Sequence, residues 1–183
     1  MNTQYFKELH IEPIKQSVVI LDIDGTLLAD GERTPTIDPA AAANVQQLVA
    51  QGNQVYLCSN GFSHKLERNR TIAKQLQIPF YETSSKKPLA SAILPLIAGT
   101  TKPVIVIGDK FLTDGLLAIN LGIPYIDVRS IRSPQDPPHA RLVYLADRII
   151  KNFFALETVP LDHSNTFDPN HLRAYLRNQQ QKQ

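Results

Sequence analysis

The chain predicts a doubly wound α/β fold, a parallel sheet with helices on both faces in three layers. Two observations carry that prediction. Short apolar runs at Val18–Leu21, Val55–Ser59 and Val104–Ile107 have the composition of strands buried on both faces. Between them lie stretches with apolar residues at helical spacing, and strands alternating with helices imply right-handed crossovers and parallel pairing. With 183 residues the chain is long enough for one domain with its own core, and its hydrophobic fraction of 43% is ordinary for a soluble protein.

Met1 to Gln16 is mixed in character and reads as a short helix or arm. The first strand begins at Val18, and its apolar run extends to Leu28, interrupted by Asp22, Asp24 and Gly25. Ala29 to Thr36, with Asp30, Gly31 and Pro35, is a loop. Asp38-Pro39 opens a helix as N-cap and first-turn proline, Gly52 closes it, and Val45, Leu48 and Val49 mark its core face. The second strand is Val55–Ser59. Ser63 caps a helix running to Gln77, with Leu66, Ile72, Ala73 and Leu76 inward. Ile78 to Tyr81 reads as a short third strand. Leu89 to Ala98 has a helical pattern that Pro95 should kink or shorten. Val104–Ile107 is the fourth strand, Thr113 to Leu121 a helix, and Tyr125–Val128 a fifth strand. The domain is expected over 1–155. Residues 156–183 form an extension with a short helix from Asp168-Pro169 and a Gln-rich, frayed end.

Net charge is +2 with acids and bases interspersed, so bulk nucleic-acid binding is not expected. The one cysteine, Cys58, cannot form an internal disulfide and reads as a small buried thiol, which fits a reducing compartment. The amino terminus carries Glu8 and Glu12 and no continuous apolar segment, so neither a Sec-type signal nor a membrane span is expected, and the location expected is cytoplasmic.

Asp22 and Asp24 lie two residues apart at the carboxyl end of a strand, so they point into one crevice if the strand continues. Two anions held that close need a cation. Alone, Asp-x-Asp-Gly is also an ordinary turn. Three later features accompany it: Cys58-Ser59-Asn60-Gly61 at the end of the second strand, then Lys86-Lys87-Pro88, then Gly108-Asp109 followed by Thr113-Asp114. In that order, Asp-x-Asp-Gly-Thr, Ser-Asn, Lys-Pro and Gly-Asp-x-x-x-Thr-Asp resemble the four motifs of the haloacid dehalogenase (HAD) superfamily of phosphohydrolases, with a match from Val18 to Val128.

That resemblance implies a HAD-like, Rossmann-like sheet and a Mg²⁺-dependent phosphomonoesterase. Asp22 would be the nucleophile that becomes an aspartyl-phosphate, and Asp24 the general acid and then base. Thr26 would position Asp24. Magnesium would lie on Asp22, the backbone carbonyl of Asp24, and Asp109. Asp114 would hold a metal-bound water or pair with a lysine, or cap the following helix. Ser59 would donate to a phosphoryl oxygen, helped by the main-chain N–H groups of Asn60 or Gly61. Lys87, directly before Pro88, is the expected site lysine, with Lys86 as the reserve.

The intervals from Asp24 to Ser59 and from Asn60 to Lys86 have no room for a cap domain, which leaves the site accessible to a lipid, protein or other large phosphate. Gly108–Asp114, Asn120–Pro124 and Ser85–Pro88 resemble the capless class IIIA branch, which includes phosphatidylglycerophosphate phosphatases. Arg141 to Phe154 carries an apolar stripe of Leu142, Leu145, Ile149 and Phe153 beside Arg141, Arg148 and Lys151. This stripe suits either an anionic membrane surface or packing on the sheet or a second copy. Rival readings are a phosphoprotein or small-metabolite phosphatase of the same mechanism, a receiver-type phosphoacceptor domain, and an idle relative serving as a binding module.

Overall fold

In the order of the chain, the computed structural model describes residues 3–60, 63–83 and 85–154. The expected extension over 156–183, with its Asp168-Pro169 helix start, lies outside the described residues. Four strands, β1 (Val18–Leu21), β2 (Gln54–Leu57), β3 (Val104–Gly108) and β4 (Tyr125–Asp127), form an all-parallel sheet in the order β2-β1-β3-β4. β1 is thus interior, with Leu21 opposite both Leu57 and Ile107.

Alternation along β1 divides the core. Val19 and Leu21 join Val45 and Leu48 of α1 (Pro39–Ala50) and Ile72 and Leu76 of α2 (Ser63–Leu76) on one face. Val18 and Ile20 meet Ala92, Ile93, Leu117 and Ala118 on the other. Every β1 side chain is at most 2% exposed, as strands covered on both faces require. The three layers are those expected.

Several boundaries differ from the sequence expectation. Ile78–Tyr81 makes only a single bridge between Leu57 and Phe80, because Pro79 has no N–H to extend a ladder. Asp38 caps α1 as expected, its Oδ1 accepting from the Ala40 N–H at 2.9 Å, but Val49 is 41% exposed and lies off the core row. Pro95 shortens the 89–98 segment to a tight turn at Ala90–Ala92 and one helical turn, α3 (Leu94–Ile97). The helix expected from Thr113 begins later: Phe111–Gly115 is a wide π-type turn that leads into α4 (Leu116–Leu121).

The amino-terminal arm belongs to the core. Phe6, Ile11 and Ile14 are at most 2% exposed and pack with α1. Buried Asn53 ties this arm to the sheet: its Oδ1 accepts from the Ser17 N–H at 2.8 Å, and its Nδ2 donates to the Ile14 and Leu48 carbonyls at 2.7 and 2.9 Å. The last helix, α5 (Pro138–Phe154), turns Ala140, Tyr144 and Asp147 inward, while Leu142, Leu145 and Ile149 face outward; the Phe153 side chain lies outside the described ones. Lys151, expected on the basic flank of that stripe, instead points inward. Its Nζ donates to the Asp109 carbonyl at 2.7 Å and meets Asp127 at 2.6 Å and Asp147 at 2.9 Å.

Because three main-chain groups depend on one buried amide, Asn53→Ala should lower the free energy of unfolding by about 3 kcal/mol, read by urea denaturation. A loss within experimental error of zero would show that water replaces the amide.

Candidate active site

Pairing continues one residue past β1, where the Asp22 N–H donates to the Ile107 carbonyl at 2.9 Å. The chain then turns sharply: the Ile23 carbonyl accepts from the N–H groups of Thr26, Leu27 and Leu28. Gly25 takes φ 94° there, and a Cβ on it would stand 2.2 Å from Asp109 Oδ2, so only glycine fits this close approach. The parallel register sets the ends of β1 and β3 side by side, and Asp22 and Asp109 therefore meet.

The Lys87 ammonium lies at the centre. Its Nζ donates to Asp22 Oδ1 and Asp114 Oδ1, each at 2.6 Å, and to the Cys58 carbonyl at 2.9 Å. Asn60 clamps the backbone that carries it: Oδ1 accepts from the Lys87 N–H at 2.7 Å and Nδ2 donates to the Lys87 carbonyl at 2.8 Å. The Lys87–Pro88 peptide bond is cis. Between the two lysines of the motif, Lys87 is the one that reaches Asp22, whereas Lys86 is exposed.

Asp24 is held from α2. Its Oδ1 meets Arg68 Nη2 at 2.5 Å and Lys65 Nζ at 3.2 Å, and its Oδ2 accepts from the Ser59 hydroxyl at 2.9 Å. Burial works against its charge, but Lys65 and Arg68 win and hold the carboxyl below the usual range. Thr26, expected to position Asp24, instead directs its hydroxyl at Asp109 Oδ1 at 3.5 Å. Asp114 pairs with Lys87 and accepts from the Thr113 hydroxyl at 3.2 Å and the Lys110 N–H at 3.4 Å, all on its upstream side, so it does not cap α4. Gly61 lies outside the described residues.

Among the described residues, three further cations touch the site carboxylates that the sequence motifs do not mark: Lys65, Arg68 and Lys110. A signal existed for the first two, since Lys65, Arg68, Ile72 and Leu76 fall on one helical row that ends in core residues. Lys110 had none beyond following Asp109. Its Nζ donates to the Asp24 carbonyl at 2.5 Å and to Asp109 Oδ1 at 3.1 Å, and lies 4.8 Å from the centre of the Tyr144 ring.

The oxygens suit a hard divalent cation. One carboxylate oxygen each from Asp22, Asp109 and Asp114 lies within 4.8 Å of the others, and Asp109 Oδ2 is buried with no hydrogen-bond partner among the described residues. Burial pushes both Asp22 and Asp109 up to about 6; Lys87 opposes this at Asp22 and Lys110 at Asp109, and neighbouring carboxylates add to it. Folded values above the unfolded 3.8 mean a stabilising contribution that is complete below the unfolded value and lost as pH rises through about 6. Asp24, already ionised in both states above pH 5, adds no slope there. Metal-free protein should therefore melt at a higher temperature at pH 5 than at pH 7, read by calorimetry in chelator; the opposite trend would contradict the burial argument.

The fold agrees with what the chain is similar to. The profile of the family described as mitochondrial PGP phosphatase matches residues 3–130. No curated protein sequence matches the chain significantly. One solved structure superposes with a TM-score of 0.54 at 14% identity, covering 90% of this chain and 96% of its own. Another, an uncharacterized protein from Listeria monocytogenes serotype 4b, superposes at 0.48 with 16% identity, covering 74% of this chain and 99% of its own. The matched span contains all four motifs together with Lys65, Arg68 and Lys110, and the chain belongs to the mitochondrial PGP phosphatase family, a HAD-like family of phosphoric monoester hydrolases.

Proposed function

We propose that the chain is a Mg²⁺-dependent phosphomonoesterase acting through an aspartyl-phosphate on Asp22, with a phosphorylated lipid such as phosphatidylglycerophosphate as substrate. The observation that carries the chemistry is Lys87, whose ammonium binds Asp22 at the end of β1 and Asp114 in the turn after β3 together. It holds the Asp22 carboxylate in one orientation and places a fixed positive charge where the transferring phosphoryl group must sit. Magnesium, held by Asp22, the Asp24 carbonyl and Asp109, would neutralise phosphoryl oxygens.

An Asp22 oxygen attacks phosphorus as the ester P–O bond breaks, and protonated Asp24 gives its proton to the leaving oxygen. In the second step Asp24 takes a proton from water, whose oxygen attacks phosphorus, and inorganic phosphate leaves with Asp22 restored. Lys65 and Arg68 hold Asp24 ionised at rest, which suits the second step. An incoming phosphate offers these cations a second anion, which frees Asp24 to carry the proton of the first. Ser59, bonded to Asp24 at rest, is placed to donate to a phosphoryl oxygen.

The lipid reading draws on the family and on α5. Leu142, Leu145 and Ile149 are 67%, 46% and 47% exposed on one row, with Arg141 and Arg148 exposed beside them. No helix among the described residues is long and apolar enough to cross a membrane. Contact with lipid through this face would thus be peripheral.

Asp22→Asn should reduce Mg²⁺-dependent phosphate release by roughly a thousandfold without unfolding the protein, and Lys87→Ala should cost far more activity than Lys86→Ala. Full activity in Asp22→Asn would falsify the nucleophile assignment. Leu142→Glu with Leu145→Glu should lower turnover of the lipid in anionic vesicles several-fold, leaving a soluble aryl phosphate unaffected. Equal loss on both substrates, or a wild-type preference for phosphopeptides, would move the substrate away from lipid.

A further inference from the structure

We propose that the Lys110 ammonium is a built-in occupant of the divalent-cation position, filling it in the metal-free protein and leaving it when the cation binds. The inference rests on the cation assignment made above. Lys110 Nζ lies 2.5 Å from the Asp24 carbonyl and 3.1 Å from Asp109 Oδ1, two of the three oxygen-bearing groups assigned to the metal. Magnesium takes its ligands at about 2.0–2.1 Å, so an ammonium 2.5 Å from the Asp24 carbonyl oxygen and bonded to the Asp109 carboxylate stands in the space the ion needs.

Charge explains why a cation stands there at all. Asp22, Asp109 and Asp114 converge in a buried space, and among the described residues only Lys87 and Lys110 pair with their carboxylates. Without Lys110, three carboxylates would face one ammonium. With Lys110 exchanged for a dication, the charges of the cluster cancel.

Of the two lysines, Lys110 is the one built to move. Lys87 is bound to two carboxylates and a carbonyl, and Asn60 grips its backbone on both sides. Lys110 holds one carbonyl and one carboxylate oxygen, at the end of a flexible four-carbon stem whose other neighbour is the Tyr144 ring. Rotation of that stem releases both oxygens and leaves the β1 and β3 ends undisturbed. Lys110 is thus a positioning residue: it keeps the metal-free carboxylates together and sets how much free cation is needed to load the site.

The test is Mn²⁺ binding to metal-free full-length protein, with free Mn²⁺ read by electron paramagnetic resonance, for wild type, Lys110→Met, Lys110→Arg and Asp109→Asn. Lys110→Gln is a second uncharged variant should the methionine protein not fold. Removing the charge should tighten Mn²⁺ binding by roughly tenfold or more, while Lys110→Arg gains nothing. The uncharged variant should also melt lower than wild type without metal and gain more on adding Mg²⁺. Unchanged or weaker binding in the uncharged variants, with wild type binding and Asp109→Asn not, would overturn the role of Lys110 and leave the metal site standing. Failure of wild type and the uncharged variants alike to bind would overturn both.

Discussion

A single buried ammonium organises the carboxyl end of the sheet. Lys87 joins Asp22 at the end of β1, Asp114 in the turn after β3 and the Cys58 carbonyl just past β2, so three chain segments share one cation. Burying charge is tolerated only when partners and hydrogen bonds are supplied, and removing one member of such a group costs about 3–5 kcal/mol because the others are left uncompensated. Burial works against the Lys87 charge, but Asp114 and Asp22 outweigh it and hold its pKa well above the ordinary value. The same constraint gives Asn60 its place, since a lysine fixed at both ends needs its backbone clamped as well as its tip.

The sheet is what makes that convergence possible. In a parallel sheet all carboxyl ends lie on one edge, so residues from β1, β2 and β3 that are far apart in sequence arrive within bonding distance of each other. The wide turn at Phe111–Gly115 then folds Asp114 back toward Lys87 instead of leading it away along α4. Gly25 permits the approach of Asp109 that a side chain would block.

α5 completes the site from outside the motifs. Asp147 accepts from the Leu112 N–H at 2.8 Å, and Lys151 bonds the Asp109 carbonyl, so the helix braces the segment that carries Asp109 and Asp114 at two points. Its buried residues are Ala140, Tyr144 and Asp147, with Lys151 turned in beside them, and the row of Leu142, Leu145 and Ile149 is left outside. Amphipathic spacing located the two faces of this helix; it could not say which one the protein covers, because a buried ion-pair network competed with the apolar row for the inner side.

The sequence by itself determined the parts governed by local rules. Continuous aliphatic runs made β1, β2 and β3 legible, Asp38-Pro39 marked the start of α1, and the order of motifs identified Asp22, Asp24, Ser59, Lys87 and Asp109 as residues that share one site. Tertiary structure decided what depends on partners distant along the chain. It reduced the expected strand at Ile78–Tyr81 to one bridge, drew Phe6, Ile11 and Ile14 into the core, and turned Thr26 toward Asp109. It also gave Lys65, Arg68 and Lys110 their carboxylate partners, of which the sequence marks none beyond the row that Lys65 and Arg68 share with the core residues Ile72 and Leu76. A lysine or arginine is buried only where carboxylates from other segments await it, and such pairing exists only once the chain has folded.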